Sequence, residues 1–348
     1  MKLILSPVEV RMRRVRYEVN GGPEVLFVEQ VPAPTPGPGE LLVRTEAIGV
    51  TLPVVRKVRE GAEPATLGGE VAGTVVAIGK GESDGDGDGD GDGDGDGDGD
   101  GDDHNDNGGG AAGAFAVGDR VTGLCFADAY ADMAILHPAM ASHVPDEVGA
   151  VDAVALVRSG LVARGAYEAG CPRTGDAVLI TAAASAVGTC AVQYAKACGA
   201  SRVVAAVSSR DKAPFVRGLG ADEVVLYGDD SWGAAVDVVL DGVGGELLGP
   251  AVRALKPGGR LVAFSSGGGV IDAYELLARS ASAIGFQMAA IARGKPELYA
   301  RWRAELWELN RSGALRPHVH AVLPLAEAAR AHAIIESRAN LGKVVLVP

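Results

Sequence analysis

Between Thr181 and Lys212 the chain places small, hydroxylated and cationic residues at intervals that suit a phosphorylated ligand. A turn of small residues, TAAASAV, runs from Thr181 to Val187 and closes on Gly188. Backbone N–H groups in such a turn, at the start of a helix, let a pyrophosphate approach closely, and the helix dipole favours its charge. In the usual G-x-G-x-x-G spacing the glycine positions are Ala183, Ser185 and Gly188, so only the last is glycine; Ala186 and Val187 share the same helical start. Alone, that pattern fits either a nucleotide site or an ordinary strand-to-helix turn. About 20 residues on, an NAD-selective fold carries a carboxylate for the ribose 2′-OH. Here stand Ser208, Ser209, Arg210 and Lys212. Two hydroxyls and two cations suit a 2′-phosphate; a solvated turn is the alternative. Joined to the preceding turn, they make NADPH the expected cofactor.

A βαβ unit must bring these residues together. The apolar run Ala177 to Ile180 reads as a strand, and Val187 to Cys198 as an amphipathic helix with Val187, Ala191, Tyr194, Ala195 and Cys198 near helical spacing. Gly199 ends it, and Val203 to Val207 is the second strand. Short apolar strands of this kind suit a parallel sheet covered on both faces. Lys212 to Leu219 reads as a helix and Glu223 to Tyr227 as the third strand. The connection Gly228 to Ala235 is short enough to truncate a crossover helix. Asp237 to Asp241 and Arg260 to Phe264 follow as strands, each ending in a glycine-rich loop that carries Gly242 and Val243, or Ser265 and Ser266. Such loops lie at the carboxyl edge, where open α/β sheets bind ligands. Ser282 to Phe286 is the sixth strand, and Pro296 to Asn310 is a helix with Trp302 and Trp307 on different faces.

Composition bounds the function. A chain of 348 residues, 47% hydrophobic, has room for two domains with sizeable cores. The net charge of −13 is local: Glu82 and the twelve Asp residues from Asp84 to Asp106 account for it, leaving equal acids and bases elsewhere. No basic excess points to nucleic acid or an anionic membrane. No stretch is long and apolar enough for a membrane span, and the apolar start is too short for a signal peptide. Cys125, Cys171, Cys190 and Cys198 show no C-x-x-C spacing, so reduced thiols in a cytoplasmic protein are expected. Residues 82–114, dominated by an Asp–Gly repeat, offer no core residues, and disorder is expected there. An EF-hand would need a twelfth-position acid and flanking helices, which are missing.

The motifs AAASAVG (Ala182 to Gly188), VSSRDK, LGAD (Leu219 to Asp222), LDGVGG (Leu240 to Gly245), LKPGGRLVAF (Leu255 to Phe264) and ESRANLGKVVLVP (Glu336 to Pro348) occur in one order. With GGPEVL, PTPGPGELLVR, GGEVAGTVVAIG and FAVGDRV in the front half, they resemble the zinc-free quinone oxidoreductase and enoyl reductase-like branch of the medium-chain dehydrogenase/reductase superfamily. The resemblance implies an α/β protein. Residues 1–150 form a GroES-like β-rich substrate domain, 151–290 a Rossmann doubly wound parallel sheet, and 291–348 return to the front domain. It implies hydride transfer from NADPH to a quinone or an α,β-unsaturated carbonyl compound in a cleft between domains. Alternatives are an enoyl reductase acting in trans on carrier-bound acyl chains, or an NADPH-binding protein without turnover. Thr51 matches a pocket position that would polarise the acceptor carbonyl, whereas Val54, Val55, Arg56 and Lys57 depart from the pattern that follows it. No residue is a convincing acid, so water is the expected proton donor. Ser159 and Val162 replace polar residues that face the nicotinamide in relatives. Tyr227 and Arg338, with Lys343, match positions near the cofactor. Zinc-dependent relatives carry Gly-His-Glu where this chain has Gly68, Gly69 and Glu70, so no metal is expected. Tyr130 is expected to pack rather than catalyse. The edge strand at 282–286 implies a homodimer.

Overall fold

The computed structural model describes residues 10–61, 66–80, 115–264 and 267–348; the Asp–Gly insert, Ser265 and Ser266 lie outside the described residues. Two sheets carry the architecture. The front sheet contains β3 (Leu41–Val50), β4 (Gly69–Ile78), β5 (Arg120–Cys125) and β7 (Ala141–His143), with β6 (Met133–Leu136) also paired to β3. Two strands from the far end of the chain, β14 (Val319–Pro324) and β15 (Lys343–Val347), complete it, β15 running antiparallel to β3. A separate hairpin, β1 (Arg11–Arg16) and β2 (Phe27–Pro32), lies beside it.

The middle of the chain forms a six-stranded parallel sheet in the order β10 (Glu223–Leu226), β9 (Arg202–Val207), β8 (Ala177–Ile180), β11 (Val236–Asp241), β12 (Leu255–Ala263), β13 (Ser282–Gly285). The order reverses direction between β8 and β11, which opens the crevice that doubly wound sheets use for dinucleotides. Every residue of β8 is buried, as a strand covered on both faces requires. The expected combination, a β-rich sheet built from both chain ends and a doubly wound sheet between them, is therefore present.

Helices cover the parallel sheet because their apolar stripes need partners. These are α2 (Ala150–Ala169), α3 (Ala186–Ala197), α4 (Ala213–Gly218), α5 (Leu248–Arg253) and α6 (Ala273–Arg279). Helix α2 is buried almost all round because it lies against α3 on one side and the front sheet on the other. Residues 227–235 contain no helix, and the buried indole of Trp232 fills the space a crossover helix would take. Strand β12 begins at Leu255 rather than Arg260, because a register irregularity at Val236/Val238 absorbs the Pro-Gly-Gly stretch.

Helix α7 (Met288–Gly294) precedes α8 (Pro296–Arg311). Trp302 and Trp307 do point to different faces of α8, yet both are buried. The Arg164 guanidinium stacks over Trp302 at 4.9 Å, and Trp307 Nε1 donates to Ser142 Oγ at 3.1 Å, so α8 wedges between α2 and β7. Helices α1 (Leu52–Glu60) and α9 (Ala328–Glu336) pack together in the front half, tied by Arg59 to Glu336 at 2.9 Å. No helix among the described residues is long and apolar enough to cross a membrane.

Candidate active-site cleft

The turn after β8 is held from three sides. Thr181 Oγ1 donates to Asp241 Oδ1 at 2.7 Å and accepts from the Gly242 N–H at 2.8 Å, while Asp241 Oδ2 accepts from the Gly244 N–H at 2.8 Å. One buried carboxylate thus shapes both the small-residue turn and the loop carrying Gly242 and Val243. Ala182, in the left-handed region with φ 50°, donates its N–H to Tyr227 Oη at 2.9 Å. From the third side, the Gly342 N–H donates to the Ala184 carbonyl at 2.8 Å, so the returning C-terminal segment buttresses the turn.

Ser185 caps α3, its Oγ accepting from the Gly188 N–H at 3.1 Å. A Cβ at Gly188 would lie 2.1 Å from the Ala182 carbonyl oxygen, so this glycine alone permits helix and turn to meet. The N–H groups of Ala186 and Val187, in the first helical turn, have no partner within the helix and are the donors a pyrophosphate needs.

A cleft of about 260 Å³ runs past this turn. Ala183, Ser185, Ala186, Val187, Gly242 and Val243 line its middle. Ser208, Lys212, Tyr227 and Arg338 line one end. Lys212 is nearly buried there, its Nζ donating to the Arg338 carbonyl at 2.6 Å, and burial pushes its ammonium below the ordinary lysine value. Arg338 sits in the left-handed region at φ 55°, an uncommon place for a long side chain and one found at ligand clamps. Ser209 and Arg210 do not line the cleft; the Ser209 hydroxyl instead holds the Asp211 carboxyl below its ordinary value, and Arg210 is exposed.

The opposite end is formed by Thr51, Leu52, Pro53 and Arg56 at the start of α1, by Arg158, Ser159 and Val162 of α2, and by Phe264. Thr51 is the N-cap residue of α1 and is largely buried against the cleft. Beneath it lies a cluster that the motifs did not reveal. Glu70 on β4 is 2% exposed and is held by two cations, Arg158 Nη1 at 2.9 Å from Oε1 and Lys343 Nζ bonded to Oε2. Burial lowers the Lys343 ammonium from its ordinary value, opposed by the adjacent Glu70. The signal for it was β-strand alternation alone: Glu70 and Lys343 fall on strand faces that should be apolar. A second cavity of about 220 Å³ lies behind, sharing Arg158, Val162 and Phe264 with the first.

The residues do not fit a zinc ion. Glu70 is occupied by its two cations, the buried Cys125 thiol is pushed up to about 12 by desolvation, and His137 Nδ1 accepts from the Ala139 N–H. Among the described residues no group of three or more His, Cys, Asp and Glu side chains is placed to hold a metal. Tyr130 is fully buried, with its Oη 3.3 Å from His332 Nε2.

Comparison with known proteins agrees with this architecture. A family model for zinc-binding dehydrogenases matches residues 219–346. The chain is 30% identical to a quinone oxidoreductase of Pseudomonas aeruginosa over 360 residues, covering 97% of this chain and 99% of that one. It is 28% identical to a 2-haloacrylate reductase of Burkholderia sp, with 94% and 96% coverage. A mycobacterial protein solved in complex with NADPH superposes with a TM-score of 0.81 at 31% identity, covering 97% of this chain and 100% of that one. The chain therefore belongs to the quinone oxidoreductase-like branch of the medium-chain dehydrogenase/reductase superfamily.

Proposed function

We propose that the protein is an NADPH-dependent oxidoreductase that delivers hydride to a quinone or an α,β-unsaturated carbonyl compound. The observation that carries this reading is the single cleft joining a helix N-terminus, a cationic end at Lys212 and Arg338, and a second end at Thr51 and Ser159. The donor chemistry fits the cofactor: Ala186 and Val187 would hold the pyrophosphate, Lys212 with Ser208 the 2′-phosphate, and Ser159 and Val162 would face the nicotinamide. The relatives named for quinone and 2-haloacrylate reduction, and the mycobacterial NADPH complex, support the same orientation of function.

Bound NADPH supplies a hydride equivalent. The chain supplies position and a water-poor cleft, so that acceptor and donor meet without a separate encounter. Thr51 donates a hydrogen bond to the acceptor carbonyl, and water gives the proton that completes the product. The outer edge of β13, unpaired among the described residues, with the exposed Val270, Tyr274 and Leu277 close in sequence, supports a homodimer formed through that edge.

Titration with NADPH and with NADH, followed by nicotinamide fluorescence, tests the cofactor assignment, and NADPH oxidation in the presence of enones and quinones tests the reaction. Tighter binding of NADPH with turnover of either acceptor class is expected. Failure to bind either nucleotide would overturn the proposal.

A further inference from the structure

The acceptor end of the cleft is not electrically balanced. Glu70 contributes one negative charge, while Arg158 and Lys343 contribute two positive ones, all three packed at the junction of the two cavities. Passing a proton from Lys343 to Glu70 would leave that sum unchanged. Lys212 and Arg338 belong to the opposite end of the cleft. An uncompensated charge in a desolvated site is costly unless a partner arrives to meet it.

Arg158 also has donors to spare. Only Nη1 is bonded, to Glu70, and its remaining N–H groups have no protein partner among the described residues. The guanidinium is about one-third exposed, and that exposure is to the cavities it lines. The second cavity presents two more polar groups, the Tyr299 hydroxyl and the Gln287 amide, neither with a side-chain hydrogen bond among the described residues. Glu70 and Thr122 also line it, but both Glu70 oxygens are taken by Arg158 and Lys343 and the Thr122 hydroxyl donates to the Val71 carbonyl at 2.9 Å. The remaining walls are mainly apolar, including Leu124, Leu161, Phe286 and Met288. A fork of guanidinium donors beside a phenol, in a small apolar chamber, is the chemistry that recognises a carboxylate.

We infer that Arg158 and the inner cavity form an anion subsite for the carboxylate of a small activated alkene, so that the preferred acceptor is an unsaturated acid rather than a neutral quinone. This rests on the oxidoreductase reading above and narrows it. In the reaction the β-carbon of the alkene gains the hydride, the π pair moves onto the carboxyl oxygens, the α-carbon then takes a proton from water, and the cofactor leaves as NADP+. A second negative charge gathers on the carboxyl oxygens during the transfer, and the excess cation of the Arg158–Glu70–Lys343 cluster is preplaced to receive it.

The test compares methacrylate with methyl methacrylate, a matched pair that differs in charge, as ligands of the full-length protein loaded with NADP+. Calorimetric Kd values for wild type, Arg158→Leu and Arg158→Lys are the readout, with NADPH titration checking that each variant keeps an intact cleft. Wild type should bind the acid at least tenfold more tightly than the ester, the leucine variant should lose that preference, and the lysine variant should recover part of it. Equal binding of acid and ester, absence of acid binding, or an acid preference that survives in Arg158→Leu would overturn the inference. Turnover separates this from the reading beneath it. Acid-selective binding without NADPH oxidation on any acceptor sinks the reductase assignment and leaves the subsite standing. Reduction of a neutral quinone with no acid preference does the reverse.

Discussion

At the scale of single residues, Lys212 and His332 show what burial does to charge. Lys212 is drawn in beside the Arg338 carbonyl, where its ammonium is already costly and gains from a phosphate. Lys212→Ala should weaken NADPH about 10- to 100-fold, the worth of one charge-assisted contact, while leaving NADH within about twofold. Nucleotide titrations of both proteins measure that ratio, and an equal loss for both cofactors would remove Lys212 from the 2′-phosphate site. His332 is 1% exposed and its one side-chain hydrogen-bond partner among the described residues is the Tyr130 hydroxyl, so desolvation depresses its imidazole from 6.5 to about 4. Between those values the unfolded chain binds the proton and the folded chain does not. Stability is therefore fully present above pH 6.5 and falls as the pH drops toward 4, by up to about 3 kcal/mol. His332→Gln should flatten that slope in thermal melts taken from pH 7.5 to 4.5; an unchanged slope would assign the acid lability elsewhere.

At the scale of elements, the turn between β8 and α3 depends on backbone proximity more than on glycine content. Ala183 and Ser185 replace two of the three usual glycines without harm, because Ser185 caps the helix and Ala183 N–H bonds to the Ala206 carbonyl. Gly188 has no such latitude, since its missing Cβ is what leaves room for the Ala182 carbonyl. Gly188→Ala should push α3 away from the turn and cost about 1–3 kcal/mol, the usual range for overpacking. Denaturant melts and an NADPH titration together check it: destabilisation with at least tenfold weaker cofactor binding is expected, and a neutral variant would show that the helix start is more pliable than its geometry.

At the scale of the whole molecule, the parallel sheet ends in an unsatisfied edge. Among the described residues strand β13 pairs with β12 alone, and Val270, Tyr274 and Leu277 stand exposed close by in sequence. A second copy would supply both the missing ladder and an apolar cover. Sedimentation equilibrium should report twice the 35.3 kDa chain mass, and a Tyr274→Asp, Leu277→Asp double variant should shift the particle to a single chain. A wild-type monomer at micromolar concentration would remove the edge as an interface. The same scale explains the tail: β14 and β15 return to the front sheet, and Gly342 meets the dinucleotide turn on the way, so the chain end completes the site.

Most of the parallel sheet was legible because periodicity and glycine placement are local properties. The strand Ala177–Ile180, the helix after Gly188's turn and the strand ending at Val207 are written in apolar spacing, and sterics permit few other readings. Thr51, Lys212, Tyr227 and Arg338 were placed in the cleft by motif, and the folded chain does bring them to its walls. Tyr227, however, spends its hydroxyl on the Ala182 N–H, and Ser209 and Arg210 turn away, because short-range bonds within a turn decide orientation and the sequence does not encode them visibly. Helices α5, α6 and α7 escaped because short helices owe their stability to packing rather than to propensity. The Glu70–Arg158–Lys343 cluster escaped for a deeper reason. Its members are 88 and 273 residues apart along the chain, on β4, α2 and β15, and although Lys343 matched a position near the cofactor, nothing in the sequence joined it to Glu70 and Arg158. Local order follows from the sequence by itself; which charges share a desolvated site is decided only when distant strands close the sheet.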